Sequence, residues 1–185
     1  MCTSVIILNG VPGAGKTTLA VPLALELGVP LIGKDAIKEG LADLVSVPLP
    51  TRRLGALASE TMWNLAALID GPVVVESFWA AERDEGFLQA GLRTAGARRA
   101  VELWCEVPLG LARERFSTRH RHSAHDDTSR LEEWETMAAT ARPCSGQPAL
   151  RVATAGAVDV PALAARIRRL LQDDRSLIPL PEPAR

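Results

Sequence analysis

Gly10 to Thr17 read GVPGAGKT, which fits the phosphate-loop spacing Gly-x-x-x-x-Gly-Lys-Ser/Thr. Each position in that spacing has a physical duty. Gly10, Gly13 and Gly15 let the backbone curl without a Cβ, so successive N–H groups, that of Ala14 among them, point inward at a phosphate chain. Lys16 brings a point charge toward the β- and γ-phosphates, and the Thr17 hydroxyl suits Mg²⁺. Thr18 follows in the first turn of a helix whose positive end faces the same anion. The loop is therefore expected to bind ATP and Mg²⁺ through Gly10, Gly13, Ala14, Gly15, Lys16, Thr17 and Thr18.

A phosphate loop alone says only that a nucleotide binds. Two carboxylates at other strand ends say more, because ligands in open α/β sheets sit beyond the carboxyl ends of the strands. Asp35 comes directly after Leu31-Ile32-Gly33-Lys34. It could accept the proton of an attacking hydroxyl, or it could cap a helix starting at Ala36; one side chain cannot hold both geometries. Glu76 ends Val73-Val74-Val75, the place from which an acid reaches Mg²⁺ through water, although it could equally contact substrate. Ser77, Phe78 and Trp79 follow at the same mouth. Lys38, one turn after Asp35, is a candidate for orienting substrate. Glu60, Trp63 and Asn64 share a face of a long helix that could wall an acceptor pocket together with Trp79.

From Arg113 to Asp127 the chain reads RERFSTRHRHSAHDD. Arg115 and Arg119 lie four residues apart on one side of a helix. Beyond Arg119 the pattern turns polar and irregular, as in a mobile flap whose arginines close over a triphosphate. Of His120, His122 and His125, one is expected at the substrate, with His122 the choice. A histidine metal site is disfavoured by irregular spacing and the lack of a nearby cysteine.

These residues need a scaffold that presents strand ends side by side. Thr3 to Asn9 is a β-branched apolar run suited to a buried parallel strand. Leu19, Leu23 and Leu27 mark the helix after the loop, closed by Gly28, with Pro22 expected to kink it. Strand and helix patterns then alternate. Helices are expected over 36–45, with Ile37, Leu41 and Leu44 on one face, and over 52–69, with Leu54, Leu57, Thr61, Leu65 and Leu68 buried. Further helices follow at 81–95, after Pro108, from the Ser129/Glu132 capping box, and at 159–171. Strands are expected at 31–32, 73–76, 100–107 and 150–153. The fold class implied is α/β, a three-layer sandwich of five parallel strands flanked by helices. One domain is expected over 1–175, with a lid near 117–128 and a loose proline-rich tail over 176–185.

The 21 Lys plus Arg balance 22 Asp plus Glu, for a net charge of −1. That balance disfavours a grip on long nucleic acid and leans toward a small substrate. Three scattered cysteines, Cys2, Cys105 and Cys144, fit free thiols in a reducing compartment. No run approaches the roughly 20 apolar residues of a membrane span, and the start lacks the pattern of a signal peptide; cytoplasm is the expected location.

The chain resembles the small P-loop kinases grouped with chloramphenicol phosphotransferase, gluconate kinase and the kinase domain of polynucleotide kinases. The likeness runs from Val5 to Leu171, on GVPGAGKTT, GKDAIKEGL, VVVESFW and VPLGLARERFSTRHRHSAHDD. It implies ATP on the phosphate loop and Asp35 as general base toward an acceptor hydroxyl, with Lys38 in the place of a basic residue that often follows. It also implies Arg119 and Arg121 as lid arginines and Thr154 in a loop bordering adenine. Glu76 stands where Asp is commoner. The function expected is transfer of the γ-phosphoryl group to a small-molecule alcohol. The alternatives are a 5′-hydroxyl polynucleotide kinase and a nucleotide-dependent switch. Nothing in the sequence chooses among an antibiotic, a sugar or a nucleoside.

Overall fold

The computed structural model describes residues 2–45, 47, 49–119, 122–125 and 133–178. Alternating apolar runs and amphipathic segments give β1 (Cys2–Asn9), α1 (Lys16–Leu27), β2 (Leu31–Gly33), α2 (Lys34–Leu44) and α3 (Thr51–Leu68). They continue as β3 (Gly71–Glu76), α4 (Ala81–Thr94), β4 (Arg99–Glu106) and α5 (Leu109–Thr118). The described chain closes with α6 (Trp134–Thr140), β5 (Ala149–Ala153), α7 (Val160–Gln172) and a 3₁₀ turn at Asp174–Ser176. The capping box at Ser129 and Glu132 lies outside the described residues.

The five strands pair in parallel in the order β2-β3-β1-β4-β5, which bears out the expected P-loop sandwich. Strand alternation sorts the core into two layers. Ile6 and Leu8 of β1 face a cluster with Leu23 of α1, Phe116 of α5 and Ile167 of α7. Val5 and Ile7 face the opposite cluster with Met62 of α3 and Leu88 and Leu92 of α4. β1 is buried on both faces, so its sequence is a continuous apolar run.

The helix after the phosphate loop runs through Pro22 as one helical element. Thr18 and Pro22 are both exposed and line an open cavity, so the carbonyl that loses its i+4 donor to proline lies away from the core. On α3 the buried stripe is Leu54, Ala58, Met62 and Ala66, while Leu57, Leu65 and Leu68 are exposed. Alanines allow the helix to approach the sheet closely, a reason that hydropathy alone does not register. On α2 Leu44 is likewise exposed, and Lys38 is the buried residue.

The fit of α3 against α4 rests on Gly91, because a Cβ there would run into the Trp63 indole. Gly91→Ala is therefore expected to destabilise the protein by about 1–3 kcal/mol through overpacking. Urea denaturation checks this: the midpoint should fall with an unchanged slope.

The domain extends slightly further than the sequence suggests. Ser176 is fully buried, Leu177 bridges Arg99, and the Ile178 amide donates to the Arg98 carbonyl at 2.9 Å. Residues 176–178 thus belong to the packed body rather than to a tail, and 179–185 lie outside the described residues.

Candidate nucleotide and acceptor site

The carboxyl ends of all five strands meet on one side of the sheet, and the loop after β1 lies at their centre. Gly10, Gly13 and Gly15 have φ of 148°, 88° and 80°, values a side chain resists. A Cβ at Gly13 would collide with the Ala112 carbonyl of α5, so the loop is pressed tightly against that helix. From behind, the Trp134 indole donates to the Pro12 carbonyl at 3.2 Å. Ala14 is buried and its amide donates to the Val11 carbonyl at 3.0 Å. That turn bond takes up the Ala14 amide and shapes the loop.

Lys16 is 8% exposed. Its ammonium donates to the carbonyls of Gly10 at 2.8 Å and Val11 at 3.2 Å. Burial lowers its pKa, and Glu76, Cys105 and Asp35 partly counter this. A buried cation at the mouth of a glycine cradle is an arrangement that an anionic phosphate chain completes, so the residues fit a nucleotide.

Glu76 ends β3 opposite Leu8 of β1 and Gly33 of β2. Its Oε1 accepts from the Thr17 hydroxyl at 3.5 Å, and its Oε2 lies beside Gly33. A hydroxyl and a carboxylate are the oxygen donors that Mg²⁺ takes, so Thr17 and Glu76 fit that ion. Burial raises the Glu76 carboxyl above its ordinary range; Lys16 opposes the shift and Asp35 adds to it.

Asp35 sits inside the first turn of α2, and the residue at the N-cap is Gly33, with no side-chain cap bond. Asp35 is thus not the N-cap residue of α2. Asp35 and Arg119 both act electrostatically on Lys16 and on Glu76. Arg119 is exposed just past the end of α5, its guanidinium 5.0 Å from the Phe116 ring. Arg121 lies outside the described residues.

A cavity of about 520 Å³ opens beside the loop, lined by Gly15, Thr18, Leu19, Pro22, Arg115 and residues 154–158 and 160. Thr154 is buried there, its hydroxyl donating to the Ala14 carbonyl at 2.6 Å and lying 3.1 Å from the Glu106 carbonyl. Arg115 donates to the carbonyls of Thr154 and Ala155, each at 3.2 Å. The sequence placed Arg115 on the face of Arg119 without giving it a site; its anchoring to a loop 39 residues away emerges only in three dimensions.

Several expected substrate contacts take other places. Trp63 and Trp79 are 4% and 3% exposed and pack on each other in the core, with centroids 6.2 Å apart. The aromatic at the mouth is instead Phe78, half-buried, its ring centroid 5.9 Å from Lys16 Nζ. Glu60 is exposed on α3. Lys38 is buried and donates to the Thr51 hydroxyl, which in turn donates to the Ala124 carbonyl at 2.7 Å. The two ring nitrogens of His122 are both engaged within the protein: Nδ1 accepts from the Ala124 amide at 3.0 Å and Nε2 lies 2.9 Å from Asp43. His125 Nε2 lies 2.8 Å from Glu39. Residues 122–125 are thus strapped to α2, the helix that carries Asp35.

The AAA domain profile matches residues 5–144. No curated protein matches the sequence. Among solved structures, a candidate kinase from Chloroflexus aurantiacus is 27% identical, with a TM-score of 0.76 over 92% of this chain and 99% of that one. A gluconokinase from Sinorhizobium meliloti is 22% identical, with a TM-score of 0.57 over 91% and 94%. Kti12 from Chaetomium thermophilum, in complex with ADP-AlF3, is 16% identical, with a TM-score of 0.63 over 90% and 98%. The last two likenesses speak for the fold alone. With three quarters of its length matched by one profile and a phosphate loop formed at the head of its central strand, this chain belongs to the AAA domain family of P-loop proteins.

Proposed function

We propose that this protein is an ATP-dependent phosphotransferase that moves the γ-phosphoryl group to a hydroxyl of a small molecule. The observation that carries the reading is Asp35. It stands in the first turn of α2 and, like Arg119, acts electrostatically on both Lys16 and Glu76. A nucleotide switch needs no such acid beside its phosphate loop, whereas transfer to an alcohol does. The similarity to a candidate kinase at 27% identity supports the same reading.

In this reading Lys16 and Arg119 stabilise charge on the transferring group while Asp35 orients the alcohol and takes its proton. The cavity beside Thr154 and Arg115 holds the base. Thr17 and Glu76 hold Mg²⁺, which when bound neutralises charge on the β- and γ-oxygens. Glu76 and Phe78 border the acceptor side. A panel of alcohols, sugars and nucleosides assayed for ADP release tests the proposal. Stimulation by one of them is expected; ATP turnover that no acceptor stimulates, with partner binding that follows nucleotide state, would favour a switch. Oligonucleotide binding that weakens steeply with salt would favour a polynucleotide kinase.

The raised Glu76 carboxyl has a consequence for the metal. Mg²⁺ requires the carboxylate, so a proton competes with it from a higher pH than at an ordinary glutamate. Affinity for Mg²⁺ is expected to fall as pH drops through that raised range, by up to about tenfold per unit, and to level off above it. Calorimetric Mg²⁺ titrations across pH check this, and Glu76→Gln should bind weakly with a flat profile.

A further inference from the structure

Asn9, the last residue of β1, is fully buried, and its side-chain amide is used on both sides. Its Oδ1 accepts from the amides of Gly10 at 2.7 Å and Trp79 at 3.0 Å. Its Nδ2 donates to the Trp79 carbonyl at 3.2 Å and to Glu102 Oε1 at 2.8 Å. Glu102 comes from the middle of β4 and is 0% exposed. Its second oxygen accepts from the amides of Cys144 at 3.0 Å and Ser145 at 2.8 Å. A carboxylate in such a place is costly unless donors surround it, and here three do.

The relay joins the start of the phosphate loop, the segment after β3 and the segment after α6. The amides of Gly10 and Trp79 can only donate, so the oxygen of Asn9 must face them and its NH₂ must face Glu102. Gly10 also packs closely on β4, where a Cβ would lie 2.8 Å from the Cys105 carbonyl. The mouth of the loop and the neighbouring Phe78 therefore hold one fixed relation.

We propose that Asn9 and Glu102 are a positioning pair for the nucleotide site, acting through the phosphate loop and the Phe78 segment without touching ligand. The inference rests on the reading that this loop binds a nucleotide. Its test is a swap of donor and acceptor. Asn9→Asp sets a second carboxylate against Glu102, and Glu102→Gln sets one NH₂ group against another. In the double variant the glutamine NH₂ donates to the aspartate, while its oxygen still accepts from Cys144 and Ser145, so the bond between the two residues is restored with its direction reversed and only the donation to the Trp79 carbonyl is lost.

A fluorescent ADP analogue is titrated into wild type and all three variants, with melting temperatures measured in parallel. Each single variant is expected to weaken ADP binding at least about tenfold, and the double variant to return to within about threefold of wild type. A merely structural pair would lower the melting temperature and leave the affinity of the folded protein unchanged. Single variants that bind like wild type, or a double variant as weak as the singles, overturn the proposal. If a single variant does not fold, Asn9→Ala replaces it under the same tenfold criterion. A wild-type protein that binds no ADP would instead count against the nucleotide reading, and the pair's role would fall with it.

Discussion

Lys16→Ala is expected to lower phosphoryl transfer by about 10²–10³-fold, the scale of losing one preorganised donor to a developing charge. Lys16 is held ready by the Gly10 and Val11 carbonyls, at 2.8 and 3.2 Å, before any ligand arrives. It is also nearly inaccessible to water, so its charge acts at low screening. ADP affinity should fall too, because the same ammonium is the buried counter-charge of the cradle. Lys16→Arg should not rescue, since a planar fork does not fit a space shaped for a point charge. Steady-state ADP release with an accepted alcohol measures the first effect and nucleotide titration the second. Transfer within about fivefold of wild type would remove the lysine from the mechanism.

Asp35→Asn should behave differently. The substitution keeps the size and one acceptor oxygen of the side chain while removing its basicity. Transfer is expected to fall by about 10²–10⁴-fold, the usual worth of a general base, with nucleotide affinity little changed. The split arises because Asp35 stands on α2, beyond β2, whereas the loop that holds the nucleotide is built by β1 and α1. Near wild-type transfer in Asp35→Asn would show that the base is another group. Glu76 would be the next to test, because burial already raises its carboxyl toward proton-accepting range.

Much of the fold is legible because its strands are local statements. Val5 to Leu8 and Val73 to Val75 are apolar without interruption because helices cover both faces of the sheet. The phosphate loop is legible for a similar reason. Its glycines are required by backbone angles, and the lysine and threonine by chemistry a few ångströms away. Helix faces are read less well. Leu57, Leu65 and Leu68 look like a core stripe by hydropathy, yet α3 turns Ala58 and Ala66 inward because close approach favours small side chains.

The candidate site divides in the same way. Phe78 and Trp79 are neighbours of equal aromatic character, and only the path of the chain after β3 sends one toward Lys16 and the other into the core. Lys38 reads as a residue that could orient substrate, but residues 122–125 cover it from a part of the chain 87 positions away. Glu102 gives no signal at all in an apolar strand, since its three donors come from Asn9 and from the 144–145 segment.

The amino-acid order by itself determined that a triphosphate cradle exists, that a parallel sheet presents it, and that acids stand at the adjoining strand ends. Those features depend on contacts within a few residues, where backbone geometry and side-chain chemistry are tied together. Tertiary structure alone decided that Asp35 falls inside the first turn of α2, that Arg115 lines the cavity beside the phosphate loop, and that Trp63, Trp79 and His122 are turned to internal duties. Each of those outcomes depends on which distant segment packs against the side chain, and the spacing of residues along a chain does not specify that partner.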